Sequence, residues 1–517
     1  MKTAPALFFL CLAWFLLAGC AINPVTGQRE LSLVGQEQEI AIGSKQYEPA
    51  RQMQGGDYLA DPALAAYVNT VGQKLAAVSD RPLPYEFKVL NNSTPNAWAL
   101  PGGKIVVNRG LLLELNNEAE LAAVISHEIV HAAARHGAKS MEKGMLLQGA
   151  LLATSLATAG NDYAPLAVGG AQAAAALITQ KYSREAELEA DFYGMHYLSR
   201  AGYDPQSAVQ LQQTFVRLSE GRDANWLEGL FASHPPSRER VEANRKTALS
   251  LPPGGELGEM RYAEQINRLR QTAPAYQAYD EAGLALQKGD SGKALALVDK
   301  ALASEPREAL FHGLRGDIFF TRQNFNKALA SYDQAIQRNA SFFHFYAQRG
   351  LTREKLGDLQ GARQDLTRSA SLLPTATAYK KLGDYALASG KLSEAKNFFQ
   401  AASSSKSEVG KEALASFVRL DLPENAGRYL SARPEKTEDG QLRIRVSNPT
   451  PLAVYNIVLA AGYLDDQGSI KQIPLRVSAT LQPAKSVLLP LDTSGVPVKY
   501  LHNLEVKVIS AEIAAGK

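Results

Sequence analysis

The segment His-Glu-Ile-Val-His, from His127 to His131, constrains this 517-residue chain more than any other feature. Alanine, valine, leucine and isoleucine surround the segment, and this composition predicts a buried helix. Histidines four residues apart project from one face of a helix, where their imidazoles can bind one zinc ion. Glu128 lies about 100° around the helix from His127 and can act as a general base on a water molecule.

The ends of this predicted helix are marked by residues with known terminal preferences. Asn117 is the expected N-cap, and Glu120 three residues later completes a capping box. Gly137 is the expected end, because glycine tolerates a left-handed backbone. The alternative interpretation is a buried helix whose polar groups satisfy one another. It does not explain why a histidine–glutamate pair, which is costly to bury, lies among apolar residues.

Length and composition exclude several classes of protein. A chain of 517 residues is too long for one hydrophobic core and predicts three or four domains. The formal net charge of +3, without a basic block, gives no argument for a nucleic-acid partner. Cys11 and Cys20 are the two cysteines, so the sequence after Cys20 contains neither a disulfide nor a thiolate metal site.

Residues 1–20 have the pattern of a lipoprotein signal peptide, with Lys2 at the charged start, an apolar segment over 6–17, and Leu-Ala-Gly-Cys ending at Cys20. An ordinary signal peptide or a short membrane anchor is the alternative. Small residues before one cysteine favour acylation of Cys20, which anchors a protein without a transmembrane helix. The residue after Cys20 is Ala21 rather than an aspartate, and in this the chain resembles the outer-membrane lipoproteins of Gram-negative bacteria. We therefore expect anchorage at the periplasmic face of the outer membrane.

Short elements are predicted upstream of the metal-binding helix. A strand just upstream of the metal-binding helix can pair with an extended substrate, or it can pair only within its own sheet. The sequence leaves these two alternatives open. The predicted elements are a polar tether over 21–54 that runs into a helix over 36–51, a helix over 61–77, strands over 85–90 and 104–108, and a turn over 96–103.

The region 145–180 is unusually rich in small apolar residues, and residues 160–163 interrupt it. Each half is shorter than the roughly 20 residues that span a bilayer. We therefore predict a helical hairpin that covers the cleft as a lid. A hairpin that dips into the membrane is the alternative.

A further predicted helix begins after Ser183 and ends at Gly202. Glu187 and Asp191 lie four residues apart on one face of it. Carboxylates at this spacing often mark an exposed face, but the face continues into Leu198 and favours an inward orientation. Glu187 can then complete a three-ligand zinc site, and Asp191 can hold a ligating imidazole.

This combination resembles the zinc endopeptidase family that includes the CAAX prenyl endopeptidases, HtpX and the repeat-bearing periplasmic protease BepA. The resemblance covers about residues 24–247 and implies a helical, gluzincin-type domain with a small sheet. The motifs that carry it are His127–His131, Glu187–Asp191, Asn96–Asn108, Ser183-Arg184, and Ser233-His234-Pro235-Pro236 with Arg240.

The resemblance also implies roles for particular residues. One Zn²⁺ would be bound by Glu187 together with the two histidines of the helix, Glu128 would be the base, and His234 and Arg240 would lie near the active site. Three interpretations of His234 stay open. It can donate a hydrogen bond to the oxyanion, as Arg240 also could, it can occupy the fourth position of the zinc, or it can be a bystander in a surface loop.

Two further histidines are predicted to be structural, namely His136 and His196. His136 is not expected to be a zinc ligand of the metzincin type, because that pattern needs a histidine six residues after His131, where Gly137 stands.

After a linker over 248–275 that passes into helix, residues 276–420 predict an α-solenoid of tetratricopeptide repeats. A generic helix bundle is the weaker alternative. Such arrays present a concave groove to peptides or protein partners, among them the outer-membrane assembly machinery. The alanines that recur every 34 residues, each twelve after a small residue, are Ala294, Ala328 and Ala362, and a fourth unit, one residue out of step, contains Gly383, Gly390 and Ala395.

Residues 428–517 change to an alternating pattern with turns, which predicts a small β-sandwich without a catalytic constellation. The whole chain is thus predicted to be a multidomain, mainly α protein, with a peptidase domain over 21–250. The function expected is a lipid-anchored zinc metalloendopeptidase that cleaves misfolded or unassembled envelope proteins. The alternative is a chaperone or scaffold that acts through its repeats and carries a silent or latent zinc site.

Overall fold

Helices dominate this protein, and strands form its last part. The chain divides between Leu373 and Pro374 into two compact units. The predicted mainly α, multidomain fold class is confirmed. Among the described residues, no helix combines the length and the apolar character needed to cross a bilayer. The computed structural model describes residues 20–144, 176–177, 181–221, 233–436, 441–464, 467, 469–490 and 504–514.

The segment predicted as a polar tether over 21–54 is an ordered hairpin followed by a helix. β1 (Cys20–Ile22) pairs antiparallel with β2 (Arg29–Leu31), and the side-chain oxygen of Asn23 accepts two backbone N–H groups in the connecting turn. α1 (Gln36–Met53) lies where the sequence predicts a helix. The tether prediction is therefore wrong before α1, because its polar composition does not reveal the long-range contacts that fold the hairpin.

Three short strands form a sheet in the order β3-β5-β4. β3 (Glu86–Leu90) runs parallel to β5 (Lys104–Asn108), and β4 (Ala97–Leu100) runs antiparallel to β5. The predicted turn over 96–103 is wrong across β4, whose four residues are buried and paired. Because β5 has a partner on each side, its backbone is not free for a substrate. Internal pairing is thus the correct alternative for residues 104–108.

The predicted metal-binding helix is α4 (Glu118–Ala133), and it begins as expected. The Asn117 side chain accepts a hydrogen bond from the Glu120 N–H at 2.8 Å. The Glu120 carboxylate accepts the backbone N–H of Asn116, also at 2.8 Å, rather than that of the N-cap, so the predicted capping box is not formed. Both caps are local in sequence, which explains why the pattern located the start of the helix correctly.

The end of α4 differs from the prediction. The helix stops at Ala133, Arg135 adopts a left-handed conformation with φ 65°, and residues 136–144 are helical again. Gly137 therefore lies inside a helix, and its prediction as a helix end is wrong. A buried ion pair with Glu39 and a hydrogen bond to the Val34 carbonyl at 2.6 Å hold the Arg135 guanidinium. Those partners are distant in sequence, so no local pattern marks this arginine.

Four further helices, counted among the described residues from 181 onward, lead from the predicted peptidase region into the repeats. The Ser183 hydroxyl caps the first of them, and Gly202 follows it with φ 83°, as the sequence predicts. The predicted lid over 145–180 lies outside the described residues, apart from 176–177. The helices are α5 (Arg184–Arg200), α6 (Gln206–Gly221), α7 (Arg238–Ser250) and α8 (Glu259–Gln265), and α3 (Arg109–Leu112) and α2 (Pro62–Ala76) precede α4.

Paired helices follow, with the spacing of the predicted repeats. Gly289 and Gly357 have φ of 82° and 85° between the helices of their pairs. In the intermediate repeat, Gln323 adopts φ 58° at the equivalent position. The first unit contains α9 (Asn267–Gln287), α10 (Ser291–Ser304), α11 (Ala309–Thr321), α12 (Phe325–Arg338), α13 (Phe343–Lys355) and α14 (Leu359–Leu372).

The first repeats share a hydrophobic core with the peptidase region. This core extends along the sequence from Val25 to Phe345. At the junction, the guanidinium of Arg109 lies 3.6 Å from the ring centroid of Tyr276, whose hydroxyl donates to Glu308 at 2.5 Å. The predicted linker over 248–275 is thus mostly helix, and its helices pack on the same core.

The second unit contains the last helix pairs and a sandwich of two three-stranded antiparallel sheets. The sheets have the orders β10-β7-β6 and β11-β8-β9, and a separate core lies between them. All six strands lie within the region 428–517, where the alternating pattern predicts strands. The elements are α15 (Ala376–Ala388), α16 (Leu392–Ser403), α17 (Glu408–Asp421), α18 (Ala426–Tyr429), β6 (Ser431–Lys436), β7 (Leu442–Asn448), β8 (Val454–Leu464), β9 (Ile470–Val477), β10 (Lys485–Pro490) and β11 (Glu505–Ile513).

Candidate metal centre

Helices α4 and α5 bring two histidines and a glutamate together. The Nε2 atoms of His127 and His131 are 3.0 Å apart. Glu187 places Oε1 at 3.4 Å from Nε2 of His131 and Oε2 at 3.6 Å from Nε2 of His127. The two helices approach this closely because Gly194 of α5 faces α4. A Cβ atom at position 194 would lie 3.2 Å from the backbone nitrogen of His127.

The loop before α7 adds His234 to the same cluster. Its Nδ1 lies 2.9 Å from Oε1 of Glu187 and 3.4 Å from Nε2 of His127, and its Nε2 lies 3.6 Å from Oε1 of Glu128. Burial lowers the pKa of the His234 imidazole, but the carboxylates of Glu187 and Glu128 outweigh it and raise this pKa above its usual value. The two prolines after His234 hold the loop out of helical geometry.

The four side chains fit a zinc ion. One donor atom from each lies within 4.8 Å of all the others. Tetrahedral zinc with nitrogen and oxygen donors needs neighbouring donors about 3.3–3.6 Å apart, and the separations of 2.9–3.6 Å lie close to that range. Buried imidazoles and a carboxylate gathered in this way are the donor set that zinc prefers. The residues able to hold the metal are His127, His131, Glu187 and His234.

Glu128 lies beside this cluster. Its side chain is 2% exposed, and its Oε2 has no hydrogen-bond partner among the described residues. A buried carboxylate oxygen without a donor is costly, so its position is explained by a group that binds there. Next to Glu128 and His127 lies a cavity that a substrate side chain could enter. Its apolar lining includes Ala123, Val124, Met195, Leu211 and Phe215.

Asp191 and Arg240 support His127 from behind. Oδ1 of Asp191 lies 2.9 Å from Nδ1 of His127, and the Arg240 guanidinium donates to both oxygens of Asp191 at 2.7 and 2.8 Å. Burial raises the pKa of Asp191, but Arg240 and His127 outweigh it and lower this pKa below its usual value. Arg240 also contacts Oε2 of Glu187 at 2.8 Å. Its Nη1 also donates to the Pro235 carbonyl at 3.2 Å, so two carboxylates and one backbone carbonyl surround the guanidinium.

His136, which was predicted to be structural, supports His131 in the same way. Its Nδ1 lies 2.8 Å from Nδ1 of His131, and its Nε2 lies 3.1 Å from Oε1 of Glu189. With Nε2 of His131 directed at the cluster, a proton on Nδ1 can be donated to His136, which then donates to Glu189. The left-handed turn at Arg135 brings His136 back towards the helix, and sequence reasoning missed that turn.

Tyr182 is a second residue that sequence reasoning missed. Its half-buried ring stacks on His131, with the ring centroids 4.0 Å apart and the planes inclined by 22°. Burial raises the pKa of its hydroxyl. The sequence signal that could have identified Tyr182 is its position immediately before Ser183, the N-cap of α5. In contrast, His196 is half-buried away from this cluster, its hydrogen bond goes to the Phe192 carbonyl, and its ring contacts Phe192 and Tyr193.

The fold and the donor set define a metallopeptidase domain in which a helical His-Glu-x-x-His segment is joined by a glutamate from a later helix. Residues 62–248 match the sequence model of peptidase family M48, and residues 279–343 match a tetratricopeptide repeat. The chain therefore carries an M48 peptidase domain followed by tetratricopeptide repeats. This confirms the resemblance inferred from the sequence.

Curated relatives agree with this assignment. The beta-barrel assembly-enhancing protease of Yersinia pestis is 32% identical over 42% of this chain and 45% of its own length. The beta-barrel assembly-enhancing protease of Escherichia coli strain K12 is 30% identical over 39% of this chain and 45% of its own length. The mitochondrial metalloendopeptidase OMA1 of Schizosaccharomyces pombe is 32% identical over 42% of this chain and 63% of its own length. The chain spans about half the length of the bacterial relatives. All three relatives are described as proteases or metalloendopeptidases.

Solved structures are similar to parts of this chain. The first tetratricopeptide domain of Spaghetti (RPAP3), bound to an HSP90 peptide, is 22% identical with a TM-score of 0.22 over 23% of this chain and 95% of that one. MamA is 17% identical with a TM-score of 0.24 over 31% of this chain and 91% of that one.

Proposed function

We propose that this protein is a zinc-dependent endopeptidase of the bacterial envelope, held at the periplasmic face of the outer membrane by acyl chains on Cys20. The observation that carries the catalytic part is the cluster of four metal donors, three of them buried and His127 half-buried, beside the unpartnered oxygen of Glu128. Its substrates are misfolded or unassembled envelope proteins. The relatives described as beta-barrel assembly-enhancing proteases support this substrate class. Zinc content measured together with cleavage of an unfolded protein tests the proposal.

The side chains of this protein divide the catalytic work. Zinc, when bound, supplies Lewis acidity at the scissile carbonyl. Glu128 takes a proton from the attacking water and returns it to the leaving amine. Asp191 fixes the orientation of His127, and His136 fixes that of His131, so that both Nε2 atoms point into the cluster.

Arg240 acts in this proposal as a positioning residue. Its guanidinium holds Asp191 and Glu187, both of which are buried with it. The arrangement supports this role better than direct contact with the oxyanion, because the guanidinium already contacts the Asp191 and Glu187 carboxylates and the Pro235 carbonyl. His234 has the geometry of a fourth donor that closes the cluster, which supports a latch rather than an oxyanion donor.

The closed donor set also supports a second candidate function. A site whose four donors are all protein side chains resembles a structural zinc site, which keeps no position open for substrate. In that case the repeats would act as a chaperone or scaffold, and the zinc site would be silent or latent. Cleavage that depends on Glu128 would exclude this alternative.

Glu187→Gln is expected to weaken zinc binding by at least about tenfold, because the ligand loses its negative charge and a neutral amide is a poor zinc donor. Competition with a chromogenic chelator measures the affinity. Glu185→Gln, on the exposed side of the same helix, is the matched control and should bind zinc like the wild type. Unchanged affinity in Glu187→Gln would mean that another residue is the third ligand.

Cys20→Ala is expected to release the protein from membranes, since acylation would have no acceptor. Fractionation of cells followed by a salt wash measures the membrane-bound fraction. The protein should move from the outer-membrane fraction to the soluble periplasm. Retention of the variant in the washed membrane would show that another feature anchors the chain.

A further inference from the structure

The amino-terminal hairpin is attached to the end of the metal-binding helix on one side. The Asn23 amide donates to the carbonyl of Ala134, just beyond α4, at 3.2 Å. Glu30 forms an ion pair with Lys139 at 2.7 Å. The Glu142 carboxylate accepts the backbone N–H of Leu33 at 2.9 Å. These contacts fix the hairpin against the segment that immediately follows His131.

The opposite side of the hairpin is apolar and exposed. Residues directly opposite in an antiparallel pair share a face, and alternate residues along a strand do so too. Ile22 is paired with Arg29, and Leu31 is two residues further along the same strand, so all three lie on the face away from Glu30. Ile22 is 65% exposed and Leu31 37%, and Leu33 just after the strand is 47% exposed.

The start of the hairpin identifies what covers this face. Cys20, the proposed acylation site, is the first residue of β1 and is paired with Leu31. Acyl chains on Cys20 would therefore enter the bilayer beside Ile22, Leu31 and Leu33. The exposed Arg29 lies among these side chains, where a cation favours anionic lipid headgroups.

We propose that the face formed by Ile22, Arg29, Leu31 and Leu33 docks on the surface of the bilayer and holds the catalytic domain in a fixed orientation to it. This inference rests on the proposed acylation of Cys20. Apolar side chains at the headgroup boundary add to the anchorage given by acyl chains. The hairpin is thus a second, protein-based membrane contact rather than a flexible tether.

Fluorescence in vesicles tests the docking. The acylated full-length protein carries Leu33→Cys with an environment-sensitive dye and is reconstituted in vesicles of phosphatidylethanolamine and phosphatidylglycerol. Cys11 and Cys20 are the two cysteines of the sequence, so signal removal and acylation leave the new thiol as the labelling site. We expect a blue shift on vesicle binding and at least twofold quenching by brominated lipids.

Two variants control the experiment. The dye at Leu249→Cys, an 84% exposed position on α7, should stay in water and show neither effect. Ile22→Ser combined with Leu31→Ser should keep the acyl chains, as mass spectrometry shows, and lose most of the quenching at position 33.

The outcomes separate this inference from the proposed anchorage. An acylated protein whose dye at position 33 behaves like that at position 249 overturns the docking face alone. A protein without acyl chains on Cys20 overturns the anchorage and the inference with it. Quenching at position 33 that survives both serine substitutions would show that the acyl chains alone set the depth, which also overturns the docking face.

Discussion

Glu128→Gln is expected to keep its zinc and to cleave an unfolded protein at least about 100-fold more slowly than the wild type, because the general base is lost while the donor set remains. Glutamine has almost the same shape as glutamate, so the buried site beside His234 should keep its packing. Zinc content by metal analysis and initial cleavage rates on the same preparation measure the two effects separately.

The matched control for this variant is Glu242→Gln on α7, where the carboxylate is exposed and lies in an ion pair with Arg245. It should retain the activity of the wild type. Loss of zinc from Glu128→Gln, or activity close to that of the wild type, would contradict the role of Glu128. Absence of cleavage by the zinc-loaded wild type on every unfolded substrate would favour the scaffold alternative instead.

His234→Ala is expected to raise basal cleavage by roughly tenfold, the change produced by releasing about 1.4 kcal/mol of latch contact. The reason is geometric, since Nδ1 of His234 lies 2.9 Å from Oε1 of Glu187 and fits the fourth corner of the donor set. Cleavage of an unfolded protein and self-cleavage of the chain, both followed by electrophoresis, measure the release.

The control for this variant is His196→Ala, which removes a half-buried histidine whose contacts among the described residues lie within its own helix. A fall in activity of about 100-fold or more in His234→Ala would show that this histidine stabilises the oxyanion. Activity within about twofold of the wild type in both assays would make it a bystander.

The sequence predicts those parts of the fold whose causes are local. The start of α4 at Asn117 and the start of α5 at Ser183 depend on capping bonds that span three residues. The repeat spacing and the alternating strands of the second unit are also periodic signals. These elements are found where the patterns place them.

Features that depend on distant partners could not be read in advance. β4 is four residues long and is stabilised by β5, so its polar and proline flanks indicate a turn. The left-handed Arg135 exists because Glu39 and Val34 hold its guanidinium. At the site, the donors on the two helices follow from spacing, whereas the contact of His136 with His131 follows from that unpredicted turn.

The core shared by the peptidase region and the first repeats has a thermodynamic consequence. Because buried residues from Val25 to Phe345 belong to one cluster, this part of the chain is expected to unfold in a single cooperative transition. A ligand that binds only the folded repeats then stabilises the metal centre by mass action, even without touching it. Conversely, removing the repeats would also remove Tyr276 and expose the guanidinium of Arg109 that the Tyr276 ring covers. A bound partner can therefore affect catalysis by stabilising the folded metal centre, as well as by selecting the substrate.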